Sequence, residues 1–254
     1  MTLFRKITIG IVLFLGIITS GTCIAVRVMG SKRPTGVSGS EADALARRIQ
    51  AAVETEAWAK TRAVQWTFRQ RHSHLWDRRR MLDRIVKGDE TILIDLTTRR
   101  GTVTQKGRAL AGAELDARLQ YGWAAWANDS FWLNPIDKMF DEGVSREAVA
   151  LEDEPGRTGL MVSYSKGGMT PGDAYLWIVD SNAVPVAWRM WVQVFPVAGI
   201  RVSWEDWITL STGAKVATRH ELPAVSVNIT DVAGAETLEG LTGGNDPFTP
   251  LFAH

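Results

Sequence analysis

The sequence predicts an α+β protein, mostly antiparallel sheet with two helices, behind an N-terminal hydrophobic helix. Three observations predict it. Apolar residues recur with a period of two in short runs separated by Gly-, Asp- and Pro-rich turns. Two stretches keep a helical period instead. The chain also carries 11 tryptophans against 3 tyrosines, all 11 between Trp58 and Trp207, and such rings line either a core or an apolar cavity.

Behind Arg5 and Lys6, the run Ile7 to Val26 is uncharged and, as a helix, reaches roughly 30 Å, about one hydrocarbon core. Its apolar density is uneven. Ile7 to Ile18 is tight, and Thr19-Ser20-Gly21-Thr22-Cys23 turns small and polar, as signal peptides do before cleavage. Residues 1–29 are therefore a signal peptide or a membrane anchor, and the expected address is periplasmic or cell-envelope. A lipoprotein signal fits less well, because Ser20 and Thr22 stand where a branched apolar and a small residue belong. Cys23 is the single cysteine, so the folded part has neither a disulfide nor a thiolate metal site. Residues 30–39 are rich in Gly, Ser, Pro and Lys and read as a linker, residues 40–233 as one domain, and residues 234–254 as a frayed C-terminal tail. With 29 basic against 28 acidic residues no field draws nucleic acid.

Ser40 with Asp43 is capping-box-like, and Leu45, Ile49, Ala52 and Val53 form one stripe, so a helix runs from about Glu41 to Ala57. Val64, Trp66 and Phe68 then alternate with Gln65, Thr67 and Arg69, a half-buried strand. Ser73 to Asp77, Met81 to Val86, Thr91 to Leu96 and Gly101 to Thr104 continue as a meander. A second helix follows, with Leu115, Leu119, Trp123 and Trp126 on one face, ending near Asn128-Asp129. Pro135 makes Asn128 to Gly143 a loop or short helical turn. Gly159 to Ser165 and Ala174 to Asp180 flank a type II turn at Pro171-Gly172. Val186 to Val194, Ile200 to Ile208, Ala217 to Leu222 and Ala224 to Thr230 complete the strands.

His72, His74 and Asp77 are the best metal candidates, because i and i+2 of a strand share a face. Only His220 and His254 remain among the histidines, so no metal and no cofactor are expected. Ser130 or Ser165 can be joined to His72, His74 or His220 only by assumption, and no Gly-x-Ser-x-Gly elbow is present. Gly167-Gly168 and Gly243-Gly244 lack the Lys-Ser/Thr of a phosphate loop, and Glu205 and Asp206 point to opposite faces. The chain is expected not to be an enzyme.

His74-Leu75-Trp76-Asp77, Asn128-Asp129-Ser130-Phe131-Trp132-Leu133, and Thr170-Pro171-Gly172-Asp173 before Tyr175-Leu176-Trp177 resemble a family of uncharacterised bacterial envelope proteins. That family is similar to the Lol-type periplasmic lipoprotein carriers and receptors and their mycobacterial lipid-carrier relatives. The resemblance runs from about Trp58 to Glu221. It implies a strongly curved antiparallel sheet, an unclosed half-barrel with helices packed on the concave face, where acyl chains of a lipid or lipoprotein are held. The lid-holding arginine of the carriers has no single counterpart among Arg62, Arg69 and Arg71, so the lid mechanism is not carried over. The expected lining residues are Trp66, Phe68, Leu119, Trp123 and Trp126, with Phe131 and Trp132 closing one end. Two alternatives stand beside lipid binding. One is a structural or interaction protein with a solid Trp-rich core, and the other is an envelope hydrolase, which needs a His–Ser or His–Asp pair within hydrogen-bond reach.

Overall fold

The computed structural model describes residues 31–166, 170–193 and 198–252. The predicted signal or anchor at residues 7–26 lies outside them, as does His254. Among the described residues no helix is long and apolar enough to cross a membrane. The fold is α+β, with curved antiparallel sheets left unclosed.

In chain order the elements are α1 (Ser40–Ala52), α2 (Thr55–Lys60), β1 (Ala63–Phe68), β2 (His72–Asp77), β3 (Leu82–Lys87), β4 (Glu90–Asp95), β5 (Gly101–Gln105), β6 (Arg108–Ala109) and α3 (Gly112–Leu133). A 3-10 turn, Ile136–Phe140, leads to β7 (Val144–Val149), β8 (Thr158–Tyr164), β9 (Ala174–Val179), β10 (Pro185–Trp191) and β11 (Ile200–Ser203). The chain then forms β12 (Glu205–Thr209), β13 (Lys215–Leu222), β14 (Val225–Ala235) and α4 (Glu239–Thr242). Two sheets result, one of nine strands ordered β12-β13-β14-β1-β2-β3-β4-β5-β6 and one of five ordered β11-β10-β9-β8-β7.

The chain divides into two compact units. The first comprises Glu54–Asn134, Asp206–Thr218 and Val227 onward, and the second the residues up to Val53, Pro135–Glu205 and Arg219–Ser226.

In the first unit the registers Trp66↔His74, His74↔Ile85, Ile85↔Ile92 and Ile92↔Val103 put these five residues on one face of the sheet. Helix α3 covers that face, packing Leu119 and Ala125 against Ile85, Ile92, Ile94 and Val103. The approach is close. A Cβ on Gly122 would lie 3.0 Å from Ile92 Cγ2. The opposite face presents Ala63, Leu75, Leu82 and Leu93, and the segment after β14 covers it with Leu238 and the fully buried Phe248. The tail expected to fray is therefore a structural element, fixed by burial and by Arg80, which binds Asp246 at 2.7 Å and lies over the Phe248 ring.

In the second unit α1 lies against β7 and β8, and every residue of β9 is buried. The capping box foreseen at Ser40 does not form. Gly39 precedes the helix at φ 129° with no side-chain cap, and Asp43 instead accepts from Arg146 Nε at 2.6 Å. The first helix stops at Ala52, because Glu54 takes a left-handed φ of 57°, and resumes as α2. Part of the expected linker is laid on β7, where Val37 and Ala148 exchange backbone hydrogen bonds at 2.9 Å.

One further expectation changes. Ile200 to Ile208 is not one strand. It breaks at the buried Trp204, whose N–H donates to Val186 O, and Asp206 then takes a φ of 52°, so its halves join different sheets. The type II turn is as foreseen, with Gly172 at φ 107° and Asp173 N–H donating to Thr170 O.

Candidate functional site

The first unit buries two histidines and two carboxylates beneath α3. His72 and His74 alternate with Ser73 along β2, so both point to the helix-covered face. Asp83, on β3, faces Trp76 in register and shares that face. Asp77 does not join them. Its odd spacing turns it to the opposite face, where Oδ1 accepts from the N–H groups of Arg79 and Arg80 and Oδ2 from Arg80 Nε at 2.6 Å, fixing the β2–β3 turn. The third member comes from the helix. Asp129 was expected at a helix end, but α3 runs on to Leu133, because Pro135 first forces Asn134, at φ −156°, out of the helix. Phe131 and Trp132 thus sit in its last turn and not in a loop.

The hydrogen bonds form one chain. Asp129 Oδ2 lies 2.7 Å from His72 Nδ1 and 3.0 Å from His74 Nε2, and its Oδ1 accepts from Asn128 Nδ2 at 2.8 Å. The other ring nitrogens are held as well. His74 Nδ1 is 2.8 Å from Asp83 Oδ2, and His72 Nε2 is 2.6 Å from the Tyr121 hydroxyl, which accepts from Lys87 Nζ at 3.0 Å. Carboxylates only accept, so both nitrogens of His74 donate, whereas His72 is satisfied by donating from Nδ1 and accepting the Tyr121 O–H at Nε2. His72, His74, Asp83 and Asp129 are all nearly inaccessible.

Burial alone lowers the basicity of His74, but the charge of Asp83 and the hydrogen bonds to Asp129 and Asp83 outweigh it, and its pKa is pushed up to about 9. Burial opposes the charged form of Asp129 most, yet its bonds to His72 and His74 hold its carboxyl below the usual range. Burial raises Asp83, with the charge of His74 pulling it back. The Trp66 ring lies flat on His74 at 4.3 Å and 7°, and a chain of rings continues through Trp76 and Trp126 to Trp123.

The residues expected to line a cavity are thereby placed. Trp66 and Phe68 are buried on β1, Leu119 belongs to the core under α3, and Trp132 is buried near the helix end. Trp123 and Trp126 are half-buried against that core together with Leu115, Trp76 and Met81, and the Arg99 guanidinium lies 3.8 Å over Trp123. Sequence reasoning missed Asp83, Asp129 and Tyr121. A signal existed for one, since Asp129 continues the stripe of Leu119, Trp123 and Trp126 by a further three residues.

No protein-family model and no curated protein matches the chain. Among solved structures it is similar to a DUF1329 family protein from Desulfovibrio piger, with 11% identity over 77% of this chain and 94% of that one and a TM-score of 0.41. It is also similar to a putative outer membrane lipoprotein-sorting protein domain from Vibrio parahaemolyticus, with 7% identity over 77% and 93% and a TM-score of 0.33.

Proposed function

We propose that the chain is an exported, non-enzymatic protein of the cell envelope that shelters an acyl chain of a lipid or lipoprotein against the aromatic surface beside α3, reached from the membrane that its N-terminal segment engages. The observation that carries this reading is the set of half-buried Leu115, Trp123, Trp126, Trp76 and Met81 beside the buried core of β3 to β5. Such a surface offers apolar area that the fold itself leaves incompletely covered, and apolar ligands are held by area of this kind. A hydrolase is the weaker assignment: the His–Asp pairs it needs are present at 2.7 to 3.0 Å, but among the described residues no serine, threonine or cysteine is hydrogen-bonded to either histidine to act as nucleophile.

Indole fluorescence tests it. Delipidated full-length protein mixed with phosphatidylglycerol vesicles carrying bromine on the acyl chains should be quenched, and Trp123→Ala should lose most of that quenching at a modest cost in stability. Absence of quenching, with no uptake of an apolar dye, removes the proposal. The close seating of Gly122 on Ile92 favours a second reading, a solid core. There Trp123→Ala costs roughly 3–5 kcal/mol and lipid uptake is nil.

A further inference from the structure

We infer that His72, His74 and Asp129 form a binding site for one divalent transition-metal cation of the zinc class. The inference is independent of lipid binding and reverses the expectation that the chain holds no metal.

One ligand atom from each of the three residues lies within 4.8 Å of the others, and all three residues are buried. Two imidazoles and a carboxylate are a donor set that suits zinc and its neighbours, and three protein ligands leave a fourth tetrahedral position open. The stronger argument is what stands behind the ligands. A metal-binding histidine almost always has its remote nitrogen held by a carboxylate or another polar group, which fixes the ring. Here both are held, His74 by Asp83 at 2.8 Å and His72 by Tyr121 at 2.6 Å. In both rings the nitrogen remote from Asp129 is the one so held, which leaves the two nitrogens that face Asp129 as the pair able to meet a cation together with its Oδ2. The ligands also sit on regular elements, two on β2 and one on α3, and Trp66 clamps one ring from its face.

Charge and protons balance. Binding replaces the proton that His74 Nε2 donates to Asp129, which leaves to solvent. His72 gives up the proton on Nδ1 and carries one on Nε2, donating to Tyr121 in place of accepting from it. One cation therefore enters for one proton released, and the two buried carboxylates are neutralised. Arg69, which the Asp129 charge reaches, and Lys87 oppose a dication; they reduce affinity without removing a ligand.

The test uses the full chain, stripped with a chelator and titrated with Co2+ near neutral pH. One Co2+ per chain is expected, with the visible absorption of a low-coordinate nitrogen and oxygen site, displaced by Zn2+. If the wild-type protein develops no such band and retains no zinc through gel filtration, the inference is overturned. His72→Ala should abolish the band, and a folded His72→Ala that keeps it also overturns the assignment. Should that variant not fold, Asp83→Asn decides. It keeps every ligand and loses only the carboxylate behind His74, so affinity should fall about 10- to 100-fold, whereas unchanged affinity counts against the site.

Discussion

Each compact unit buries a histidine against an indole, and the two pairs differ in what lies around them. In the first unit Trp66 lies flat on His74 at 4.3 Å, and both ring nitrogens of that histidine meet carboxylates. In the second, His220 meets Trp204 at 4.4 Å and 61°, its Nδ1 faces the Ser203 carbonyl at 3.2 Å, and the rings of Trp177, Trp188 and Tyr175 continue the cluster. The second cluster is an aromatic filling between buried strands. The first brings two carboxylates and a phenol to the same kind of ring, under a helix, in a protein interior where each of them is costly to bury. Tryptophans alone thus mark burial, and the carboxylates beneath them mark the site.

The sharpest way to break this comparison is to remove the acceptor that both site histidines share. Asp129→Ala leaves two buried N–H donors without their partner and should cost about 3–5 kcal/mol in urea denaturation. A loss under about 1 kcal/mol would make the first cluster as passive as the second. Next in size is the effect of pH on chelator-treated protein. The pKa of His74 is raised above its unfolded value of 6.5 to about 9, so its contribution is complete below about 6.5 and is lost as pH rises through about 9. The change is on the order of 3 kcal/mol, shared with Asp83, and denaturation midpoints from pH 6 to 10 should fall accordingly. The His74 ring resonance in NMR should titrate in the same window, and a titration near 6.5 would contradict the geometry. The smallest effect belongs to the surface. Arg80→Ala removes a partly exposed guanidinium from the buried Asp77, which keeps its two backbone N–H donors, and from the half-exposed Asp246, for about 0.5–1 kcal/mol. Faster amide exchange should then appear around Phe248 and nowhere under α3.

What could be read from the sequence was local. The period of two in Val64, Trp66 and Phe68 located β1, and the stripe Leu115, Leu119, Trp123, Trp126 located α3 and its buried face. The equal spacing of His72 and His74 put both on one side of β2. The rest depends on partners distant along the chain. Asp129 looked like a helix stop because Asn-Asp pairs usually bond to their own backbone; its Oδ2 is instead taken by two histidines of β2 that only the folded sheet brings near. β7 has the sequence Val-Ser-Arg-Glu-Ala-Val and lacks a clear apolar alternation, and its ladder to β8 defines it. Asp83 carries no motif at all, and its role follows from pairing opposite Trp76.

The covering of the sheet by Phe248 and Leu238 also bears on how the molecule is made. Strand β1 lies early in the chain, yet its second neighbour is β14, with Ala63 opposite Ala235, and the leucines on its far side wait for residues later still. During synthesis the meander β1 to β6 can assemble from local contacts as it emerges, but one edge and one apolar face stay bare until the distal segments arrive. Contacts of such long sequence separation slow the final step, to milliseconds or longer on general grounds. In that interval the nascent sheet is the species most open to misassociation.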